Sequence, residues 1–345
     1  MSMQANALTQ PDGSGPVEAG LIEATYIRAV GMALEDALAS DASVIVLGED
    51  VAIPNGPFGA TKGLHARFGD RIIDTPISES AMIGASLGMA MGGLRPVVEI
   101  MYADFMMVAM DQIVNQVANT RYVSRGRLSA PLVIRTQQGS TPGSCAQHSQ
   151  SLEAMLAHVP GLRVAVPATA QDAYAMNRAA IALDDPVVVF ESRRLYPSKG
   201  LVSRGLADGG LGRARVTRPG TDVTLVAWGT ALPWSEQAAD ALASDGISCE
   251  VIDLRWIAPW DVATVLESAS RTHRLVVAHE AVQVGGFGAE VLSTIAAELG
   301  TSLHACARVG TAAAPMPAAA ILSAQILPSP ERIQQAVTSI MQSSQ

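Results

Sequence analysis

Cysteines are few and widely spread: Cys145, Cys249 and Cys306 are the three in 345 residues. An odd number without short spacings excludes a small disulfide-stapled secreted domain and points to a reducing compartment. Clustered positive charge is missing as well. Lys and Arg total 23 against 32 Asp and Glu, a formal charge of −9, and no basic stripe marks a nucleic-acid surface. Residues 1–20 hold neither Lys nor Arg and no apolar core. They read as a disordered tail rather than a secretory signal or an Arg-rich presequence, and the cytoplasm is the expected location. The apolar stretch 81–94 is fourteen residues long and ends at Arg95, short of the ~20 that cross a bilayer. A core helix running into a buried strand is expected there, and no membrane partner. Nor is there a G-x-x-x-x-G-K-[ST] loop or an H-E-x-x-H pair, which removes the phosphate-loop and zincin classes. The glycines at 284–288 lack the full spacing of a dinucleotide fingerprint.

What is present is an alternation of short β-branched runs with longer amphipathic segments, the signature of helices covering parallel sheets. With 49% apolar residues and this length, the chain predicts two α/β domains. A helix over 25–40 opens on a capping threonine, Thr25. Strands are expected at 43–47, 71–73, 96–100, 131–135, 162–166 and 186–190, with helices at 79–92, 103–124, 150–158 and 170–183. The stretch 192–220, rich in glycine and without period, reads as a linker. A second set follows, with strands at 222–227, 248–252, 275–278 and 303–308 and helices at 233–244, from 261, and at 286–299. The domain reading is therefore tail 1–20, first domain 21–200, linker 201–220 and second domain 221–345. In the helix over 79–92, Gly84, Gly88 and Gly92 recur every fourth residue. Each costs about 1 kcal/mol relative to alanine, so a close helix contact is expected, at least partly between subunits.

Two titratable side chains stand at junctions where parallel sheets hold ligands. Glu79 follows the turn of Asp74-Thr75-Pro76-Ile77-Ser78 and opens a helix. The helix dipole alone favours a carboxylate there by about 0.3–1 kcal/mol, so position by itself does not make it functional. His148 lies in Gln147-His148-Ser149-Gln150-Ser151, after a loop of turn residues. It could serve as acid or base, or donate to a developing oxyanion. Cys145 beside it, with no second cluster, is too little for zinc and reads as structural.

With both placed, the chain resembles the β subunit of the thiamine-diphosphate-dependent decarboxylase component of 2-oxo acid dehydrogenase complexes. The resemblance spans about 24–340. It rests on segments in order: Gly48-Glu49-Asp50-Val51-Ala52, Asp74 to Glu79, Arg95-Pro96-Val97-Val98-Glu99-Ile100, Asp104-Phe105, Asp111-Gln112-Ile113-Val114-Asn115, Gln147 to Ser151, His158-Val159-Pro160-Gly161-Leu162 and Asp253-Leu254-Arg255.

The resemblance implies a pyrimidine-binding thiamine-diphosphate fold followed by a transketolase C-terminal-like domain. Glu79 matches the glutamate that hydrogen-bonds a pyrimidine nitrogen of the cofactor, Phe105 the aromatic packed on that ring, and Met101 and Ile77 fall at positions lining the pocket. His148 matches the histidine of substrate binding and acyl transfer to a lipoyl group. No G-D-G segment occurs. The family's companion α subunit carries one to hold magnesium and the diphosphate, so the resemblance implies half a site in a tetramer of two α and two β subunits. It also implies a carbonyl-built potassium site around Leu183-Asp184-Asp185-Pro186, and docking to a dihydrolipoyl acyltransferase core through the second domain. At 310–317 the usual acidic residue is replaced by Ala313, which puts that docking in question. Three functions compete: the dehydrogenase, with a pyruvate-like 2-oxo acid or acetoin favoured over branched-chain acids; the pyrimidine-binding half of a split transketolase; and a silent assembly subunit.

Overall fold

The computed structural model describes residues 20–205 and 209–342; the segment read as a tail, 1–19, lies outside them. Among the described residues fourteen strands form three sheets. They are β1 (Leu21–Thr25), β2 (Val44–Gly48), β3 (Ile72–Asp74), β4 (Arg95–Ile100), β5 (Val133–Gln138), β6 (Arg163–Ala165), β7 (Val187–Ser192), β8 (Lys199–Ser203), β9 (Arg215–Arg218), β10 (Val223–Ala227), β11 (Cys249–Asp253), β12 (Trp256–Ala258), β13 (Arg274–Val282) and β14 (Ala305–Thr311). The first sheet has the order β12-β6-β7-β5-β4-β2-β3, the second β14-β13-β10-β11-β9, and β1 pairs with β8 alone.

Both large sheets are parallel except at one edge, where β12 and β9 run antiparallel to their neighbours. The central strands β2, β5, β7, β10 and β11 are buried along their whole length, as strands of a sheet covered on both faces are. Helix Tyr26–Ser40 begins where predicted, with the Thr25 hydroxyl accepting from Arg28 N at 3.3 Å. Thr169 and Asp261 cap Ala170–Ala182 and Val262–Thr272 in the same way. The apolar stripe of Tyr26–Ser40 packs on Ala170–Ala182, one side of the first sheet, while Glu79–Met91 covers the other.

Three departures from the sequence reading have physical causes. The segment read as an aperiodic linker supplies β8 and β9, both sheet-edge strands with mostly half-exposed residues, where a strand needs no apolar run. The helix expected over 103–124 is broken into Ala103–Met106, a tight turn Met107–Ala109, the wide turn Gln112–Val117 and Thr120–Val123. Its apolar period survives, but Asn119 Nδ2 donates to Val114 O (3.0 Å) and Asn115 Nδ2 to Asp111 Oδ1 (2.8 Å), so side chains compete with the regular ladder. The helix expected over 150–158 shortens to Glu153–Ala157, because Gln150 is held elsewhere.

The halves are interlocked. β12, from the second half, completes the first sheet, and Trp256 is fully buried with its indole N–H on Gly209 O at 2.9 Å. Beside it Arg215 bridges Asp172 and Asp253 at 2.5 and 3.2 Å, and Arg255 Nε reaches Asp172 at 3.1 Å. Burial, then the Asp172 charge, pushes Asp253 up to about 7. Paired guanidinium groups make two buried acids tolerable here.

Candidate active site

The first sheet aligns the carboxyl ends of β3, β2, β4 and β5 in a row, the end at which open parallel sheets bind ligands. Glu49 follows β2. β3 leads through Thr75-Pro76-Ile77 to Glu79, and β4 leads to Met101, Tyr102 and Phe105. These connections are fastened to one another. Thr75 N donates to Gly48 O (2.9 Å), the Asp74 carboxylate accepts from Ala52 N (2.6 Å) and Ile53 N (3.2 Å), and the Ser80 hydroxyl reaches Val108 O (2.7 Å).

Glu79 is 7% exposed in the first turn of Glu79–Met91. Its carboxylate oxygens are not among the enclosed polar atoms left without a partner, so they open onto the surface at this end of the sheet. The near charge is Glu49: burial first, then Glu79 and Asp50, hold the Glu49 carboxyl above the usual carboxylate range. A buried carboxylate facing a second acid is costly unless something bonds to it. A heterocyclic nitrogen bearing or accepting a proton is such a partner, so Glu79 fits the pyrimidine end of a thiamine cofactor.

On the other flank, His148 stands edge-on to Tyr102, with ring centres 4.6 Å apart, and to Phe105 at 5.4 Å. Tyr102 in turn meets Phe105 at 5.9 Å and Phe58 at 5.6 Å. Gln150 donates to the Asp104 carboxylate from Nε2 (3.0 Å) and N (3.4 Å). The segments Asp104-Phe105 and Gln147 to Ser151 are thereby bound together, by a pair 46 positions apart in sequence. Met101 lies half-buried at the end of β4, whereas Ile77 is 80% exposed and lines no closed pocket on this chain.

Cys145 is half-buried, has a left-handed backbone (φ 49°) and donates from its thiol to Gln147 at 3.2 Å. Among the described residues no three His, Cys, Asp or Glu side chains group to hold a metal. In the loop expected to bind potassium, Arg95 donates to Ile181 O (3.1 Å), Leu183 O (2.9 Å) and Asp184 (2.6 Å). Arg121 and Arg163 hold Asp185 at 2.8 and 2.7 Å. Guanidinium groups therefore engage acceptors at which the ion was expected.

Glu49, Tyr102, Phe58 and Arg193, whose guanidinium lies over the Tyr102 ring, stand in this cluster without having been singled out for it. Glu49 was findable, because it directly follows a parallel strand at the ligand-binding end. The others come together only through long-range packing.

Beneath the His148 loop lies a buried polar layer joining the halves. The Trp228 indole N–H donates to Glu153 at 3.0 Å, and His279 stacks on Trp228 with centres 5.2 Å apart. Burial, with Arg308 nearby, lowers His279 to about 4, and burial raises the neighbouring Glu153. His279 therefore stays neutral in the fold while it protonates near 6.5 once unfolded. Stability from this group is full above 6.5 and is lost as pH falls from 6.5 through 4, by roughly 3 kcal/mol in all. Melting temperatures between pH 7 and 4.5 should fall less steeply for His279→Gln than for the unsubstituted protein. Equal slopes would remove His279 from this account.

The fold and this site define a two-domain α/β protein of the transketolase class. The family models "Transketolase, pyrimidine binding domain" and "Transketolase, C-terminal domain" match residues 23–199 and 212–333. A solved structure, "Split gene transketolase, inactive beta4 tetramer", superposes with a TM-score of 0.78 at 22% identity, covering 93% of this chain and 99% of that one, a likeness of fold. Among curated relatives, the mitochondrial pyruvate dehydrogenase E1 component subunit beta-2 of Oryza sativa subsp. japonica is 40% identical over 92% of this chain and 86% of its own length. The acetoin:2,6-dichlorophenolindophenol oxidoreductase subunit beta of Cupriavidus necator is 42% identical over 73% and 78%. The chain belongs to the family of β subunits of thiamine-diphosphate-dependent 2-oxo acid dehydrogenases.

Proposed function

We propose that this chain supplies the pyrimidine-binding half of a 2-oxo acid dehydrogenase active site and works only when joined to an α subunit that holds magnesium and the diphosphate. The observation carrying the proposal is Glu79, a largely buried acid at the ligand-binding end of the sheet that faces a second acid, Glu49. When bound, the cofactor supplies the electron sink for decarboxylation. The protein's part is narrower. Glu79 holds or moves a proton at the pyrimidine edge, Phe105 offers its ring as a packing face, Met101 and Ile77 complete that wall, and His148 presents its imidazole to the 2-oxo acid and then to the lipoyl group of an acyltransferase partner.

The α subunit accounts for an uncovered apolar face beside Glu79. On helix Glu79–Met91, Ala81, Ala85, Gly88 and Met91 are exposed, and a Cβ at Gly88 would meet nothing within 4 Å. Met107, Val108, Tyr122 (86% exposed) and Val123 extend the exposed apolar surface. A tetramer of two α and two β subunits would cover such a surface. Gly84, by contrast, faces inward, with a Cβ placed 3.4 Å from Gln112 Oε1. The stripe therefore serves packing within the chain and a contact outside it.

A pyruvate-like substrate is favoured, with acetoin the runner-up. A carbonyl-built potassium site near Leu183 and Asp185 stays part of the proposal, with Arg95 occupying one of the two acceptor positions of the Leu183 carbonyl. Docking to an acyltransferase core remains part of it despite Ala313. The neighbouring Ala314, Pro315 and Met316 border a cavity of about 440 Å³ that an apolar partner segment could enter. No helix among the described residues is long and apolar enough to cross a membrane, and three free cysteines fit the cytoplasm as working compartment.

The test is turnover by the co-purified α and β subunits with pyruvate, 3-methyl-2-oxobutanoate, acetoin and a ketose phosphate. Pyruvate or acetoin is expected to give the highest kcat/KM. Turnover confined to the ketose phosphate would replace this reading with a split transketolase.

A further inference from the structure

The loop that carries His148 is stapled at both ends by side chains that the chemistry itself does not require. At its start, Gly139 takes a left-handed backbone (φ 86°), and a Cβ there would stand 2.7 Å from a Glu280 carboxylate oxygen. The Glu280 carboxylate accepts from Ser140 N at 2.7 Å, and Arg194 donates to Ser140 O at 2.9 Å. At its end, the buried Arg193 uses one nitrogen, Nη2, to reach Gly139 O (3.1 Å) and His148 O (2.6 Å). The same guanidinium lies over the Tyr102 ring, 4.8 Å from its centre. Tyr102 is the ring on which the His148 imidazole rests, and Gln137 fixes it by accepting from Tyr102 N at 3.0 Å. Arg193 thus touches both things that set the imidazole's place: its own main chain and the surface against which it stands.

We propose that Arg193 is a positioning residue for His148, and that Glu280, reaching across from the second half, anchors the other end of the same loop. This inference rests on the role given to His148 above. The geometry argues for it in two ways. A guanidinium can donate in its plane while stacking on an aromatic face, which lysine's point charge cannot do together. Its burial costs desolvation that neutral carbonyl partners repay only in part, while the charge of Glu280 lies close by. A plain core position would be filled more cheaply by an apolar side chain. Among the described residues Arg193 makes no hydrogen bond, ion pair or ring contact with Glu79, and its bonds run to the His148 loop and Tyr102, so its effect is expected mainly in steps that use His148.

The experiment is a double-substitution cycle in the assembled α/β complex with His148→Ala, Arg193→Met and both together, with Arg193→Lys as the conservative variant. Misplacing a reacting group by about 1 Å costs on the order of 10²-fold, so Arg193→Met should lose about that factor in kcat for acyl transfer to a lipoyl domain. The double variant should be no slower than His148→Ala alone, because a group acting only through His148 has nothing left to position. Arg193→Lys should recover part of the loss, as should guanidinium ion added to Arg193→Met. A second readout needs no cofactor: the rate at which diethyl pyrocarbonate modifies His148, followed by peptide mass spectrometry, should rise in Arg193→Met and return toward the unsubstituted rate in Arg193→Lys. Losses that multiply in the double variant, or an unchanged modification rate, would overturn the inference. Full activity of His148→Ala would instead remove the role of His148, while the modification rate would still report whether Arg193 holds the loop.

Discussion

Glu79→Gln is expected to lower kcat of the assembled enzyme by about 10²- to 10⁴-fold, the range for loss of a positioned acid–base group, while leaving the fold intact or slightly more stable. The two halves of this result have one cause. Glu79 is largely buried and faces Glu49. Replacing it by a neutral side chain of the same size removes a like-charge repulsion, and no side-chain hydrogen bond seen among the described residues is lost. A structural carboxylate behaves the other way, since removing one partner of a buried pair destabilises strongly. Melting temperature and turnover should therefore move apart. If Glu79→Gln turns over at the full rate, the catalytic reading is lost and the silent assembly subunit takes its place. If it loses both stability and activity in proportion, Glu79 is a structural residue.

Much of this was legible because chemistry and hydrophobic pattern coincide at strand ends. Val44–Gly48, Arg95–Ile100 and Val187–Ser192 are runs that only a doubly covered sheet explains, and the residues that follow such strands are candidates by position alone. That logic led to Glu79 and His148, and applied evenly it would have found Glu49. What stayed hidden has no local signal. β12 is three residues long and pairs with a strand about ninety positions earlier, Trp256 with Ala165. The helices Ala320–Ile326 and Pro330–Gln342 follow a Pro-rich stretch and went unread. The break over 103–124 depended on Asn119 and Asn115 finding backbone and side-chain acceptors, which periodicity does not report. Arg193 looked like one more charged residue in a segment without period. Its contacts at Gly139, His148 and Tyr102 come from two different connections and exist only once the sheet is assembled. The glycine stripe was half legible: the spacing predicted close approach, but only the fold separates Gly84, packed inward, from Gly88, which faces outward.

We propose that this chain owns one end of a cofactor site and that an α subunit supplies the other. Its own side chains provide a carboxylate and aromatic rings for a heterocycle. Among the described residues there is no cluster of metal-binding side chains, and a diphosphate requires a metal or concentrated positive charge. The most direct test is calorimetric titration of thiamine diphosphate with magnesium into this chain alone and into the co-purified α and β subunits. Magnesium-dependent binding in the mixture, with no heat of binding for the single chain, is the predicted result. Tight, magnesium-dependent binding by this chain alone would contradict it, because the chain would then contain a complete diphosphate site.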